Sequence, residues 1–141
     1  MSSVQTEIPL DPNSRPHWEA ATRGVLLVQR CTDCGTHRFP AAWQCAHCHG
    51  RNAEWVALSG LGRIESFCTF HKAYWPSVRD QLPYTVVQVM LDEGVRYMSS
   101  MAGNPGPQMQ IGLRVRAWFD PVSPTLTLIR FAPADAPAPR S

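Results

Sequence analysis

The second half of the chain alternates apolar and polar positions in short runs that turn residues separate. A period of two is typical of β-strands with one buried face, and no long helical period interrupts it. Asp92, Glu93 and Gly94 form a turn signal between two runs, because glycine tolerates the positive φ of a tight hairpin. Strands of this length and number favour a small barrel of the OB type. The five predicted strands span residues 62–71, 84–91, 95–101, 113–120 and 125–131.

The first half of the chain predicts a short helix followed by a ribbon of short strands. Ser14 is a typical N-cap for this helix, Pro16 lies in its first turn and Gly24 follows as a stop signal. Trp18 on the helix either packs against the body of the protein or anchors a partner, since tryptophan serves both uses. Two short apolar runs then each lead into a pair of cysteines.

Two CxxC pairs with ten residues between them are the clearest chemical signal in the chain. Two such turns that face each other present four thiolates in tetrahedral directions, which suits zinc at about 2.3 Å per bond. Iron in a rubredoxin-like site uses the same ligands, whereas disulfides are rare in a reducing cytosol. Four protein ligands leave no open position, so we expect a structural site with one zinc per chain. The predicted ligands are Cys31, Cys34, Cys45 and Cys48.

The residues beside the cysteines are expected to shape the site without binding the metal. Gly35 and Gly50 fit the tight turns, which need backbone freedom and amides directed at sulfur. His47 and His49 flank Cys48, and we expect them on the surface or behind the ligands because four thiolates already complete the shell.

The predicted fold is mainly β: an N-terminal short helix and rubredoxin-like zinc ribbon, followed by a five-stranded OB-fold barrel. The last ten residues contain three prolines and few apolar side chains, which is typical of disorder. The predicted divisions are a flexible lead at 1–13, the helix and ribbon at 14–58, the barrel at 59–131 and a disordered tail at 132–141.

Length and charge restrict the functional class. A chain of 141 residues holds one compact domain, or a small metal-stabilised module with one modest core. The formal net charge is only +2, and no segment is strongly basic. Residues 1–10 lack the basic start and apolar run of a signal peptide, and no stretch approaches the roughly 18 apolar residues that span a bilayer. We therefore expect a cytoplasmic protein without membrane contact.

A catalytic set is hard to find in this sequence. Cys68 and His71 are the only close Cys/His pair outside the ribbon, but residues three apart in a regular strand point to opposite faces. Cys68 lies between Phe67 and Phe70, which predicts a small buried apolar side chain and not a nucleophile. The carboxylates are few and scattered.

The connection between the first two barrel strands is rich in residues that make contacts. It carries Lys72, Tyr74, Trp75 and Arg79 in a segment where loops usually face solvent. Aromatic side chains here either plug the end of the barrel or bind a ligand or partner. The residues alone do not decide between these two roles.

An OB barrel beside a zinc ribbon also suggests single-stranded nucleic acid as the ligand. The charge argues against it, because Lys/Arg contacts to the phosphate backbone supply much of the non-specific affinity and the predicted barrel carries a single lysine. We expect no nucleic-acid partner, and a single-stranded nucleic-acid-binding protein is the alternative function.

Several segments together resemble a known family. They are the run from Gly24 to Cys31, the Cys34-Gly35 knuckle, Phe39-Pro40, and the barrel segments 62–67 and 83–94. Over residues 14–131 the chain is similar to the bacterial and archaeal zinc-ribbon plus OB-fold proteins that accompany thiolases. The resemblance implies a non-catalytic accessory subunit of a thiolase, acyltransferase or retro-aldolase complex, which bridges or stabilises a catalytic subunit that carries the nucleophilic cysteine.

The resemblance also implies a substrate class for the complex. Acyl-CoA or polyketide-like compounds are its expected substrates, and CoA or acyl-CoA is expected to be held jointly with the partner in a hetero-oligomer. Lys72 and Arg79 are then the candidates for contact with phosphate, and Tyr74 and Trp75 for contact with adenine or the acyl face. The competing interpretation uses the same aromatic side chains as anchors in the partner.

Overall fold

A short helix and a three-stranded antiparallel sheet make up the N-terminal part of the protein. The computed structural model describes residues 11–74 and 76–136. Helix α1 (Arg15–Ala21) is followed by β1 (Leu26–Cys31), β2 (His37–Arg38) and β3 (Ala53–Leu58), in the sheet order β2-β1-β3. Strand β3 lies outside the strands that the sequence predicts, and it pairs with β1 from Leu26 to Cys31. The ribbon is therefore stabilised by the hydrogen bonds of this sheet as well as by its two cysteine turns.

The remaining strands form one antiparallel sheet that curls into the expected OB-type barrel. Its order is β6-β5-β4-β7-β8, and it closes where the Ala102 amide donates to the Phe131 carbonyl at 2.7 Å. A parallel bridge between Met101 and Phe131 lies at the same junction. The strands are β4 (Leu61–Phe70), β5 (Tyr84–Leu91), β6 (Arg96–Ser100), β7 (Arg114–Ser123) and β8 (Leu126–Pro133), with 3-10 helices at Pro76–Gln81 and Gly106–Gln108.

Ribbon and barrel share one hydrophobic core. Alternating positions of β5 point inward, as its regular alternation of buried and half-buried residues shows. These side chains pack with residues from α1 and β1. The predicted ribbon and barrel therefore form two separate sheets that contribute side chains to the same core. The buried cluster consists of Ala21, Leu26, Val28, Ile64, Val87, Val89, Leu91, Val95, Tyr97, Met101, Val115, Ile129 and Phe131.

The start of helix α1 differs from the sequence prediction. Ser14 occupies the N-cap position, but its side chain makes no capping hydrogen bond. Instead the Ser14 amide donates to the Asp11 carboxylate at 2.9 Å, and the Ser14 hydroxyl contacts the same carboxylate at 3.2 Å. Asp11 therefore orders the entry to the helix, and the predicted capping role of the Ser14 hydroxyl is wrong.

Strand β4 separates from its neighbour β7 near an irregularity at Glu65 and stays paired with β5. It pairs with β7 only over residues 61–63, whereas it follows β5 along most of its length, with a register shift between Ile64 and Ser66. The far half of β4 therefore lacks a strand on one side among the described residues, and Cys68 is exposed. The prediction that Cys68 is a buried apolar side chain is wrong for this reason.

The end of the barrel lies later than the sequence predicts. Ala132 and Pro133 belong to β8 and are buried, although the predicted tail begins at residue 132. Ala134 continues the contact, because its amide donates to the Arg114 carbonyl at 2.9 Å. The first ten residues of the predicted lead, Trp75 and the last five residues of the predicted tail lie outside the described residues.

Within the described ranges, we find no helix that is long and apolar enough to cross a membrane.

Candidate metal centre and docking surface

Two matching backbone turns present the four cysteines. In the first turn the Gly35 amide donates to the Cys31 carbonyl at 2.8 Å, and in the second the His49 amide donates to the Cys45 carbonyl at 2.9 Å. Each pair therefore sits on the same tight loop, which directs both of its sulfur atoms to one side. Cys31 at the end of β1 and Cys45 are buried, which fixes one sulfur of each pair in the protein interior.

The four sulfur atoms lie at the distances that a tetrahedral metal requires. Cys31 Sγ is 3.6 Å from Cys48 Sγ, and Cys34 Sγ is 3.7 Å from Cys45 Sγ. All four ligand atoms fall within 4.8 Å of one another. Bonds of about 2.3 Å at tetrahedral angles place two sulfurs about 3.8 Å apart. The sulfur positions, which the CxxC spacing predicts, therefore fit zinc.

Hydrogen bonds lower the pKa of two of these thiols and so favour their ionised form. The amides of Cys48 and His47 lower the pKa of the Cys45 thiol to about 6. A hydrogen bond with Thr36, whose hydroxyl oxygen lies 3.2 Å from the sulfur, lowers the pKa of Cys34. The Gly50 amide also favours the Cys48 thiolate, but the neighbouring thiols and burial raise its pKa to about 12. Four close thiolates repel one another, so a central divalent cation is the group that lets all of them ionise.

The residue after each CxxC pair adopts a left-handed conformation. Gly35 has φ of +80°, and His49 has φ of +67° at the matching position. The sequence correctly predicts a tight turn at Gly35, but at the second turn His49 takes the positive φ. At Gly50 an added Cβ would lie 3.3 Å from Cys48 Sγ and would displace the flexible end of the Asp33 side chain.

The loop between β4 and β5 exposes an aromatic cluster on the outside of the barrel. The rings of Phe70 and Tyr84 stack with centroids 4.9 Å apart, and Tyr74 meets Phe70 edge-on at 6.3 Å. Lys72 Nζ lies 5.4 Å from the centroid of the Tyr74 ring. We call these four residues the outer aromatic cluster. Tyr74 is 63% exposed, so its ring faces solvent and does not plug the barrel.

Of the loop residues that the sequence singles out, the structure brings Lys72 and Tyr74 together. Arg79 lies further along the loop, in the last turn of the 3-10 helix Pro76–Gln81, and is exposed. Trp75 lies outside the described residues. Within this helix Val78 is only 5% exposed, so its side chain attaches the loop to the body of the protein.

A buried histidine joins the helix, the ribbon and the barrel, and the sequence alone does not reveal it. His17 Nδ1 lies 2.7 Å from the Leu27 carbonyl, and its Nε2 lies 3.0 Å from the Tyr97 hydroxyl. The carbonyl only accepts, so Nδ1 donates to it and the neutral ring accepts the Tyr97 proton at Nε2. Burial lowers the pKa of His17 and raises that of Tyr97, which keeps both groups neutral. Phe39 stacks on Tyr97 at 4.0 Å and completes the junction.

The closed four-thiolate ribbon and the OB barrel place this chain in a class of two-part zinc-ribbon proteins. Residues 18–54 match the family described as "ChsH2, rubredoxin-like zinc ribbon domain", and residues 55–120 match "ChsH2, C-terminal OB-fold domain". The chain belongs to this ChsH2 (DUF35) family, and its membership supports zinc as the structural metal of the cysteine site.

Relatives of the chain differ in length. It is 31% identical over 98 residues to a "DUF35 domain-containing scaffold protein" of Methanocaldococcus jannaschii, covering 69% of each chain. It is 33% identical over 117 residues to a "Probable enoyl-CoA hydratase alpha subunit" of Thermomonospora curvata, covering 83% of this chain but 36% of that protein. It is 31% identical over 81 residues to the "Benzoylsuccinyl-CoA thiolase subunit BbsA" of Thauera aromatica, covering 57% of this chain and 54% of BbsA.

One solved structure matches nearly the whole fold. A chain of the "Ltp2-ChsH2(DUF35) aldolase" superposes with a TM-score of 0.80 at 30% sequence identity. The match covers 90% of this chain and 98% of that one. The ribbon and the barrel therefore have a similar relative arrangement in that chain.

Proposed function

We propose that this chain is a non-catalytic accessory subunit of a thiolase-superfamily complex that acts on acyl-CoA or polyketide-like substrates. The observation that carries the proposal is the fold match over 98% of a chain of the Ltp2-ChsH2(DUF35) aldolase. A relative named as a thiolase subunit supports the same class of partner. In this role the chain bridges or stabilises the catalytic subunit in a hetero-oligomer.

The geometry of the metal site supports a structural role for the metal. Its four sulfur atoms complete a tetrahedral shell, which leaves no position for a substrate or a water. Zinc bound there would hold the two cysteine turns together at the end of the ribbon sheet, and with them the loop that carries Phe39. The cysteine site in this proposal contributes shape to the complex, and the catalytic nucleophile belongs to the partner.

The outer aromatic cluster is the proposed docking surface. Tyr74 exposes most of its ring beside Lys72, and both lie at the end of the β4 segment that has a strand on only one side among the described residues. Aromatic side chains bury a large area with little loss of conformational freedom, so they are typical anchors of protein interfaces. A groove on the partner that encloses the Tyr74 ring would also remove the Lys72 ammonium group from solvent, which favours an acidic or carbonyl-rich rim.

Contact with CoA is a competing proposal for the same loop. Lys72 and Arg79 are exposed cations in this segment and suit phosphate groups, while Tyr74 and Trp75 suit adenine or the acyl face. Lys72 already sits over the Tyr74 ring, so a base stacked on that ring would lie near an ammonium group. We propose that the partner supplies the other wall of this site.

Co-expression with a thiolase-superfamily chain encoded beside the gene tests the proposal. Size-exclusion chromatography should show a stable complex with the wild-type chain. Tyr74→Ala should weaken the complex by about 2 kcal/mol, or roughly thirtyfold in Kd, because it removes an interface anchor. Ile111→Ala is the matched control, since Ile111 is also 63% exposed but lies outside the cluster. Equal affinity of both variants would refute the docking surface.

A second comparison separates CoA binding from docking. Lys72→Ala should raise the apparent Kd of CoA for the assembled complex while the complex still forms, because the ammonium group binds phosphate more than it binds the partner. Arg63→Ala, an exposed cation on β4, is the control for a general loss of positive charge. Unchanged CoA affinity in Lys72→Ala, with complex formation intact, would remove Lys72 from the CoA site.

A further inference from the structure

A cleft on the outer face of the ribbon sheet is lined by two arginines and two tryptophans. Its volume is about 250 Å³, and Arg38, Arg51, Trp43 and Trp55 are among its walls. The strand register builds it, because Gln29 pairs with Arg38 on one side and with Trp55 on the other. Directly paired residues project to the same face of a sheet, so these three side chains gather on one surface.

Arg38 is held in place but is not satisfied. Its Nε donates to Gln29 Oε1 at 2.8 Å, and the Ala42 amide donates to the same oxygen at 2.9 Å. Gln29 is only 6% exposed, so this contact anchors the guanidinium from beneath. The Nη1 atom of Arg38 is buried and has no acceptor among the described residues. A buried charged donor without an acceptor is rare in native proteins.

The charge of the cleft is not balanced by the described residues around it. None of the residues that line it is acidic, and Arg51 is exposed and has no ion pair within the described ranges. By contrast, Arg30 on the opposite face of β1 pairs with Glu54 at 3.1 Å. Among the described residues, the cation on one face of the sheet therefore pairs with a carboxylate, whereas the two cations on the other face have no carboxylate partner.

The walls suit the oxyanion of a flat or extended ligand. A guanidinium presents parallel N–H donors that match the oxygens of a carboxylate or a phosphate. Trp43 is 74% exposed at this cleft, and Trp55 is half-buried. A cleft of this volume is smaller than the roughly 300–1,000 Å³ of pockets that enclose a whole drug-sized ligand. It therefore fits one anionic group and its immediate attachment.

From these contacts we infer that the ribbon cleft is an oxyanion-binding site, in which Arg38 and Arg51 bind one phosphate or carboxylate group between Trp43 and Trp55. Arg38 is the anchored donor, because Gln29 fixes its orientation before a ligand arrives. Arg51 is the exposed donor at the rim of the cleft. The site lies on the ribbon and is separate from the outer aromatic cluster, so it goes beyond the proposed function and does not depend on it.

NMR titration of the full-length, zinc-loaded chain tests this inference without any partner. The probes are inorganic phosphate, ADP and N-acetylglutamate amide, and the signals are the side-chain Nε–H of Arg38 and the indole N–H groups of Trp43 and Trp55. We expect saturable shifts of these signals with at least one probe. Arg38→Gln and Arg51→Gln should each weaken binding by roughly tenfold or more, because each removes a charge-assisted hydrogen bond.

The variants and probes separate the possible results. Saturation with phosphate or ADP assigns the site to a phosphate-bearing ligand, and saturation with the glutamate derivative alone assigns it to an acidic side chain of a protein. Arg63→Gln is the matched control and should bind as the wild type does. If Arg38→Gln does not fold, the affinity of Arg51→Gln for the probes tests the inference, since Arg51 is exposed and its replacement should leave the fold intact. Absence of saturable shifts with all three probes, or equal weakening in Arg63→Gln, would overturn the inference.

Discussion

The buried His17 should be a main contributor to the stability of the fold. Replacement by alanine removes hydrogen bonds of 2.7 Å to the Leu27 carbonyl and 3.0 Å to the Tyr97 hydroxyl. Each lost bond costs about 1 kcal/mol, and each partner left buried without a hydrogen bond raises that cost to about 1–3 kcal/mol. His17 is 2% exposed, so its removal also leaves a cavity. We predict a loss of about 3–5 kcal/mol in the free energy of unfolding.

Urea unfolding of the zinc-loaded protein at pH 7.5, followed by tryptophan fluorescence, measures this loss. Domains of this kind are stable by about 5–15 kcal/mol, so the variant should lose a large part of its stability. Tyr97→Phe should cost less, because it removes only the hydroxyl, and a double-mutant cycle with His17→Ala should show a coupling of about 1 kcal/mol. His71→Ala is the control, since His71 is exposed and should change stability by less than about 0.5 kcal/mol.

The pH dependence provides a second test of the same residue. Burial lowers the pKa of His17, so the unfolded chain takes up this proton at a higher pH than the folded chain does. The stabilisation by neutral His17 is complete above the ordinary pKa of about 6.5, and it falls as the pH drops below that value. The slope is at most about 1.4 kcal/mol per pH unit. A loss below 1 kcal/mol in His17→Ala, or a wild-type pH slope that the variant retains in full, would refute this reasoning.

Three further predictions concern the metal site and the barrel. Cys45→Ser should lower the zinc content below one per chain and reduce Tm, and a chelator should have the same effect on the wild type; full zinc retention by the variant, measured by mass spectrometry, would contradict the assigned ligands. Gly35→Ala should lose about 1 kcal/mol at φ of +80°, whereas His49→Gly at φ of +67° should be neutral or gain up to about 1 kcal/mol, and denaturant midpoints compare them. Asp120→Asn should cost about 2 kcal/mol in the same assay, because it removes the negative charge that pairs with Arg130 at 2.8 Å where both side chains are only 17% exposed.

The sequence predicts best those features that depend on residues close together in the chain. The predicted strand at 84–91 coincides with β5 (Tyr84–Leu91), because alternation and the flanking turn signals are local. The metal site follows from two CxxC spacings in the same way. Strand β3 is missed, because its partner β1 precedes it by more than 20 residues and the two cysteine turns lie between them.

Features that depend on distant contacts are not visible in the sequence. His17 and Tyr97 are 80 residues apart, and only the shared core of ribbon and barrel brings them together. Cys68 is exposed because β4 parts from β7 after the irregularity at Glu65, which alternation alone does not reveal. The ribbon cleft likewise requires the register that pairs Gln29 with Arg38.

The most direct test of the proposed accessory role is to purify the affinity-tagged chain from its native host, with and without nuclease treatment, and to identify the bound molecules by mass spectrometry. The account predicts a thiolase-superfamily protein as the dominant bound chain, in a fixed ratio to the tagged chain, with one zinc in each accessory chain. Recovery of the tagged chain without such a protein, or in a complex with nucleic acid that nuclease treatment disrupts, would contradict it.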